Sequence, residues 1–190
     1  MTNENYFVWR RETEKEFQAL TSTEELKMLI QTQAVSLGFD SYSFLIQHPV
    51  PFTRPRLFLH HTYPKAWMKR YEEKNYYAVD PVLLLCQQPG RGLEWTDDIF
   101  AGAGDLWKEA QEYGLNSGFS CSAMASNRAI GILSIASRLA SKTQHLHTEL
   151  EVKLHFLAEL SLRALQRFSD DALMVLKNDF SQRELEILKI

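Results

Sequence analysis

At 190 residues and 22.0 kDa the chain is long enough to bury a substantial core, and 45% hydrophobic with 24% charged residues fits an ordinary globular protein with one main domain. A formal net charge of −3 and a pI near 6.1 exclude a chain built mainly to coat nucleic acid, because neutralising phosphates needs clustered lysine and arginine, so any DNA contact is local or absent. The longest apolar run, Val82 to Cys86, falls far short of the roughly 18 residues of a membrane span, and the polar N-terminus carries no signal-peptide pattern; a cytoplasmic protein without membrane contact is expected. Cys86 and Cys121 have no metal-type spacing and make at most one bridge, which suits a reducing compartment.

The first predicted element is a helix that opens on a capping box, Ser22 with Glu25, and carries Leu26, Leu29, Ile30, Gln33 and Leu37 at helical spacing until Gly38 stops it. Aromatic and β-branched residues from Ser41 to His48 predict a strand, the prolines between Pro49 and Pro55 an irregular connection, and Arg56 to Thr62 a second strand. Pro64 suits a first helical position, so Tyr63 is expected at the N-cap of a helix running through Lys74, with Trp67 and Tyr71 on one face. A shorter helix is expected to start near Asp80-Pro81. After the loop marked by Gly102 and Gly104, Asp105 to Tyr113 reads as a helix ended by Gly114, with Trp107 and Ala110 on its inner face.

Two runs, Phe119 to Ala125 and Ile130 to Ser137, flank the turn-forming Ser126-Asn127-Arg128 and predict an antiparallel hairpin. Ile130, Ile132, Ser134 and Ala136 point one way, Leu133 and Ile135 the other. Neither face looks solvated, so helices should cover both sides of the sheet, an α+β chain with an α/β/α sandwich around a central antiparallel sheet. A long helix from His145 to Phe168 carries Leu146, Leu150, Leu154, Leu157 and Leu165, and it either covers the sheet or faces a partner. Residues 1–168 form the main domain, 169–178 read as a linker, and a second capping box at Ser181 and Glu184, with Phe180 stapled onto Leu185, predicts a helix that opens a further domain over 179–190.

The stretch from Tyr63 to Trp95 sets Tyr63, Trp67 and Tyr71 beside a single acid, Asp80, and a further indole, Trp95. Tyrosine and tryptophan have large apolar bodies with one polar tip that seeks a partner when buried, so this set suits a closed pocket for a small amphiphile. Each feature also has a plainer reading: an aromatic helix face is usually core packing, Asp80 before a proline is usually a helix cap, Trp107 packs, and Ser134 satisfies a neighbouring backbone group. Catalytic signatures are missing: there is no Gly-x-Ser-x-Gly elbow, no His-Glu-x-x-His and no phosphate-cradling glycine loop, so no enzyme is expected. Adjacent His60 and His61 point to opposite faces of a strand, and His145 and His147 diverge on a helix, so no metal or other cofactor is expected.

The run His48-Pro49-Val50-Pro51-Phe52-Thr53-Arg54-Pro55, then Tyr63-Pro64-x-x-Trp67, Asn75-Tyr76-x-Ala78-x-Asp80-Pro81, Trp95-x-Asp97 and Trp107-x-x-Ala110, resembles the autoinducer-binding domain of LuxR-type quorum-sensing regulators. Within that family it looks most like the SdiA-like receptors, with the RhlR-like ones next. Phe180-Ser181-x-Arg183-Glu184-x-Glu186-Ile187-Leu188 resembles the start of the family's helix-turn-helix DNA-binding domain. The resemblance implies the α/β/α fold and an N-acyl-homoserine lactone ligand, with Trp67 donating to the lactone carbonyl, Asp80 accepting the amide N–H and Tyr63 donating to the amide carbonyl. It implies a direct or water-bridged contact from Ser43 or Ser134, and walls formed by Tyr71, Val82, Leu83, Trp95, Phe100, Leu106, Trp107, Ala110 and Ile132, with Leu59 and Phe44 as weaker choices.

It further implies a homodimer, with DNA bound only by the full-length protein. A second reading keeps the pocket and replaces the lactone by another acyl lipid such as a monoacylglycerol. A third makes Asp80 the base of an acyl-lactone hydrolase, and a fourth an interaction module that pairs with a full-length subunit.

Overall fold

The computed structural model describes residues 5–47, 57–126, 128–139 and 147–168. The proline-rich connection at 49–55, the expected helix start at His145, the linker and the start of a second domain at 169–190 lie outside these residues. Two helices come first, α1 (Tyr6–Ala19) and α2 (Thr23–Ser36), followed by strands β1 (Ser41–Gln47) and β2 (Leu57–His61). Then come α3 (Lys65–Glu73), a single 3₁₀ turn at Tyr76–Ala78, α4 (Pro81–Leu85), β3 (Gly92–Glu94) and α5 (Gly104–Glu112). The hairpin β4 (Ser117–Met124) and β5 (Ile130–Ser137) leads to α6 (His147–Arg167).

Local chemistry accounts for the element ends. Ser22 caps α2 by accepting the Glu25 N–H at 3.2 Å, while the Glu25 carboxylate accepts the Thr21 N–H at 2.7 Å, so the box closes one residue further back than its standard form. Gly38, at φ +91°, then turns the chain out of the helix in a conformation that costs other residues strain. Helix α1 has no counterpart among the predicted elements, although Trp9, Thr13 and Phe17, its buried residues, recur every four positions. Arg, Lys and Glu fill every remaining position from Trp9 to Phe17, so the apolar stripe is too narrow to stand out in the sequence.

The strands form one antiparallel sheet in the order β2-β1-β5-β4-β3. The alternation along β5 separates two cores. Leu133 and Ile135 join Phe44, Ile46, Phe58, Phe119 and Cys121 beneath α1, α2 and α6, whereas Ile132 and Ala136 join Leu45, Trp67, Val82, Leu106 and Trp107 on the opposite face. Helices on both faces make the expected α/β/α sandwich. On the α6 side Leu154, Ala158 and Leu165 are almost wholly buried, so truncating either leucine to alanine costs roughly 2–5 kcal/mol. The second face, under α3, α4 and α5, holds the candidate site. Cys86 and Cys121 are both buried free thiols.

Candidate functional site

Tyr63 does not cap α3. Pro64 stands at the cap with ψ 132° and no side-chain cap bond, and the helix starts at Lys65. The preset ring torsion of proline is compatible with either place, and the extended ψ leaves it outside the helix. Tyr63, released from the cap, turns its ring to the sheet face and lines a cavity with Trp67 and Tyr71. Those two, four residues apart on α3, meet edge to face at 5.5 Å between ring centroids, and Trp67 is 3% exposed.

Asp80 is the N-cap of α4, its Oδ1 accepting the Val82 N–H at 2.8 Å, and Pro81 follows as the first helical residue. Its Oδ2 accepts the Tyr71 hydroxyl at 2.5 Å. Burial pushes the Asp80 carboxyl above the ordinary carboxylate range, and the Tyr71 hydroxyl with the Val82 and Leu83 N–H groups pulls it partly back. The cap reading and the pocket position therefore hold together: two oxygens anchored at known points still offer lone pairs to the cavity.

Around this acid lie Ser43, Leu59, Val82, Leu83, Trp95, Phe100, Leu106, Trp107, Ala110 and Ser134, all expected from sequence, and the space between the walls, its mouth included, is about 640 Å³. Phe100 and Trp107 stack at 4.7 Å with planes 5° apart, and the Trp107 N–H is spent on Asp97 Oδ1 at 2.7 Å, so Trp107 offers the cavity only its apolar ring. Trp95 donates to Ser120 Oγ at 2.9 Å, and Ser120 and Ser134 share a hydrogen bond of 2.8 Å.

The Tyr63 hydroxyl is buried and makes no hydrogen bond of standard geometry, although Ser134 is close enough to ease its ionisation; burial and the Asp80 charge push its pKa up more strongly. Among the described residues no hydrogen bond uses the Trp67 indole N–H. The chamber thus sets the Tyr63 hydroxyl, the Trp67 indole and the Ser43 and Ser134 hydroxyls on walls shared with the Asp80 carboxyl.

Two expected wall residues lie elsewhere. Ile132 is on the correct sheet face and in the same apolar cluster but does not line the cavity, and Phe44 faces the opposite core, edge to face with Phe58 at 6.2 Å. One-residue parity along β1 decides the second case: Ser43 and Leu45 face the cavity, so Phe44 cannot. Leu45 is accordingly a missed wall residue that the same alternation predicts. Met68 follows Trp67 on α3. Tyr77 and Leu115 sit in irregular segments, the 3₁₀ turn and the residues after α5, where no periodicity marks them.

Outside the chamber, Arg70 of α3 grips Glu109 of α5 through two hydrogen bonds of 2.7 and 2.6 Å. The guanidinium holds the Glu109 carboxyl down at about 2. No group of three or more metal-binding side chains occurs among the described residues.

An antiparallel sheet roofed by helices on both faces, with a polar-tipped apolar chamber on one of them, defines a small-molecule-binding domain. The profile described as autoinducer binding domain matches residues 22–165, and the chain belongs to that family, found in LuxR-type quorum-sensing regulators. Regulatory protein SdiA of Escherichia coli is 40% identical over 189 residues, covering 100% of this chain and 79% of that protein. The quorum-sensing regulator RhlR of Pseudomonas aeruginosa is 32% identical over 184 residues, covering 97% and 76%. A solved structure of SdiA in complex with octanoyl-rac-glycerol matches with a TM-score of 0.82 at 40% identity, covering 100% of this chain and 78% of that one.

Proposed function

We propose that this domain binds an N-acyl-homoserine lactone, that the ligand stabilises its fold, and that this controls DNA binding by a helix-turn-helix unit starting near residue 179 beyond a linker at 169–178. The observation that carries the reading is the convergence of the buried Tyr63 hydroxyl, the Trp67 indole and the anchored Asp80 carboxyl on one apolar space. Trp67 donates to the lactone carbonyl, Tyr63 to the amide carbonyl, and Asp80 accepts the amide N–H. Tyr71 and the α4 N-terminus hold Asp80, so its orientation is fixed before the ligand arrives.

Magnitudes divide the work. About six buried methylenes at roughly 0.8 kcal/mol each contribute roughly 5 kcal/mol, whereas a hydrogen bond to the charged Asp80 adds about 1.5–3 kcal/mol. Chain length sets affinity and the polar tips set head-group identity. The relatives are transcriptional regulators, which supports binding rather than turnover as the action, in a cytoplasmic dimer. The favoured state must bind ligand better than its competitor, and folded against unfolded is the simplest such pair.

An acylglycerol is the second reading, favoured by the SdiA complex with octanoyl-rac-glycerol: its ester carbonyl and hydroxyls present acceptors and donors to the same three side chains. Mass spectrometry of the lipid extracted from purified protein separates the two. Melting curves with and without N-octanoyl-homoserine lactone test the coupling: a clear rise with lactone that Trp67→Phe and Asp80→Ala abolish is expected, and identical curves for parent and variants would overturn the reading.

A further inference from the structure

One residue that does not line the chamber controls a group that does. Ser43, Ser134 and Ser120 lie directly opposite one another on β1, β5 and β4, a row of hydroxyls across the sheet face that bears the cavity. Ser134 and Ser43 border the cavity, while Ser120 is wholly buried behind Ser134. The indole of Trp95 only donates, so Ser120 Oγ must accept its N–H at 2.9 Å.

The remaining bond, 2.8 Å between Ser120 and Ser134, has two possible directions. If Ser134 donated, the Ser120 proton would be left in a fully buried site with no other described acceptor, a state that is costly. If Ser120 donates, both its proton and its lone pairs are used, and the Ser134 proton is left for the cavity side, where the nearby Tyr63 hydroxyl makes no hydrogen bond of standard geometry. Hydroxyl chains that run one way strengthen each successive donor.

From this we infer that Ser120 is a positioning residue: the relay from Trp95 through Ser120 makes Ser134 a donor, so that Ser134 and Tyr63 converge on one acceptor oxygen of the ligand, a carbonyl. This rests on the proposed function, in which an acyl carbonyl occupies that place, and it adds the source of the second donor. A ligand group that only donates is disfavoured at the same place, because Ser134 and Tyr63 would each have to turn an O–H away from it.

The test is a double-mutant cycle on the whole chain, with N-octanoyl-homoserine lactone as probe and 1-octanoylglycerol as second probe. Ser120→Ala is expected to weaken binding about three- to tenfold, as one polarising hydrogen bond is lost, and Ser120→Thr, which keeps the hydroxyl, to restore it. In a Ser134→Ala background Ser120→Ala should have no further effect, which a packing role would not predict. Equal losses in both backgrounds, or parent-like binding by Ser120→Ala, would overturn the inference. Ser120→Cys, close in volume and a poor donor, gives the same reading should the alanine variant not fold. Parent protein that binds neither probe sinks the proposed function and this inference together, whereas parent that binds either while the cycle shows no coupling sinks the inference alone.

Discussion

Tyr71 and Asp80, nine residues apart, meet through a hydrogen bond of 2.5 Å that ties the aromatic face of α3 to the first turn of α4. The carboxyl is held by a phenol and a helix N-terminus in a place that burial makes unfavourable for charge, and burial wins, raising its pKa from the ordinary 3.8. An acid whose folded pKa exceeds its unfolded value favours folding below the unfolded pKa and loses that contribution as pH rises through the folded one. Unliganded parent is therefore expected to lose melting temperature relative to Asp80→Asn as pH rises from about 4. Asparagine still caps α4, yet the variant should bind lactone at least about tenfold more weakly. A parent that gained on the variant over that pH range would contradict the assignment.

Glu109 gives the opposite sign. Its hydrogen bonds to Arg70, the larger cause, pull its pKa from 4.5 to about 2, so the pair stabilises fully above pH 4.5 and loses that contribution as pH falls toward 2. Glu109→Gln should melt below the parent at neutral pH, and the gap should close over that acid range. A gap that persisted unchanged at the acid end would show that packing of α3 on α5, not charge, sets the difference.

His60 also favours the folded state only above an acid range. Burial is the main cause that lowers its pKa from 6.5 to about 4. The Tyr42 hydroxyl gives its proton to the Lys27 carbonyl at 2.9 Å, so the 2.7 Å contact with His60 requires the imidazole to donate from Nδ1. A neutral ring of that tautomer stabilises above pH 6.5, and the contribution falls away as pH drops through about 4. His60→Asn, which keeps an amide donor near Nδ1, should flatten the stability profile between those limits; differential scanning fluorimetry on both proteins reads it directly.

At Gly118 the Trp95 ring lies on the backbone. An added Cβ would fall 2.4 Å from the ring atoms Cδ2 and Cε3, and the Trp95 backbone N–H donates to the Gly118 carbonyl at 2.9 Å, which keeps the residue from moving away. Gly118→Ala should cost about 1–3 kcal/mol in urea unfolding and displace Trp95 from the chamber wall, with a matching change in its fluorescence. An alanine variant with parental stability and emission would mean that the strand yields instead.

Period and capping make much of this readable from residues. The two-sided pattern of β5 announces both helical layers, Ser22 and Glu25 mark α2, and Asp80-Pro81 marks α4. The rest depends on tertiary placement. The three-residue strand β3 exists only because β4 offers it an edge, and the 3₁₀ turn bearing Tyr77 follows Asn75, which sits at φ 55°. Proline tolerates two neighbouring positions at a helix start, so residue types alone favour Tyr63 at the cap, and only packing on the sheet chooses otherwise. The donor on Tyr63 is visible as a residue type, but its lack of a partner is a property of three dimensions.

Division of the interior by a single sheet has an evolutionary consequence. Along β1, Phe44 and Ile46 pack the core under α1, α2 and α6 while Ser43 and Leu45 line the cavity, so neighbouring codons encode separate tasks. Substitution at one set of alternate positions can therefore alter what the cavity accepts while the other set preserves foldability.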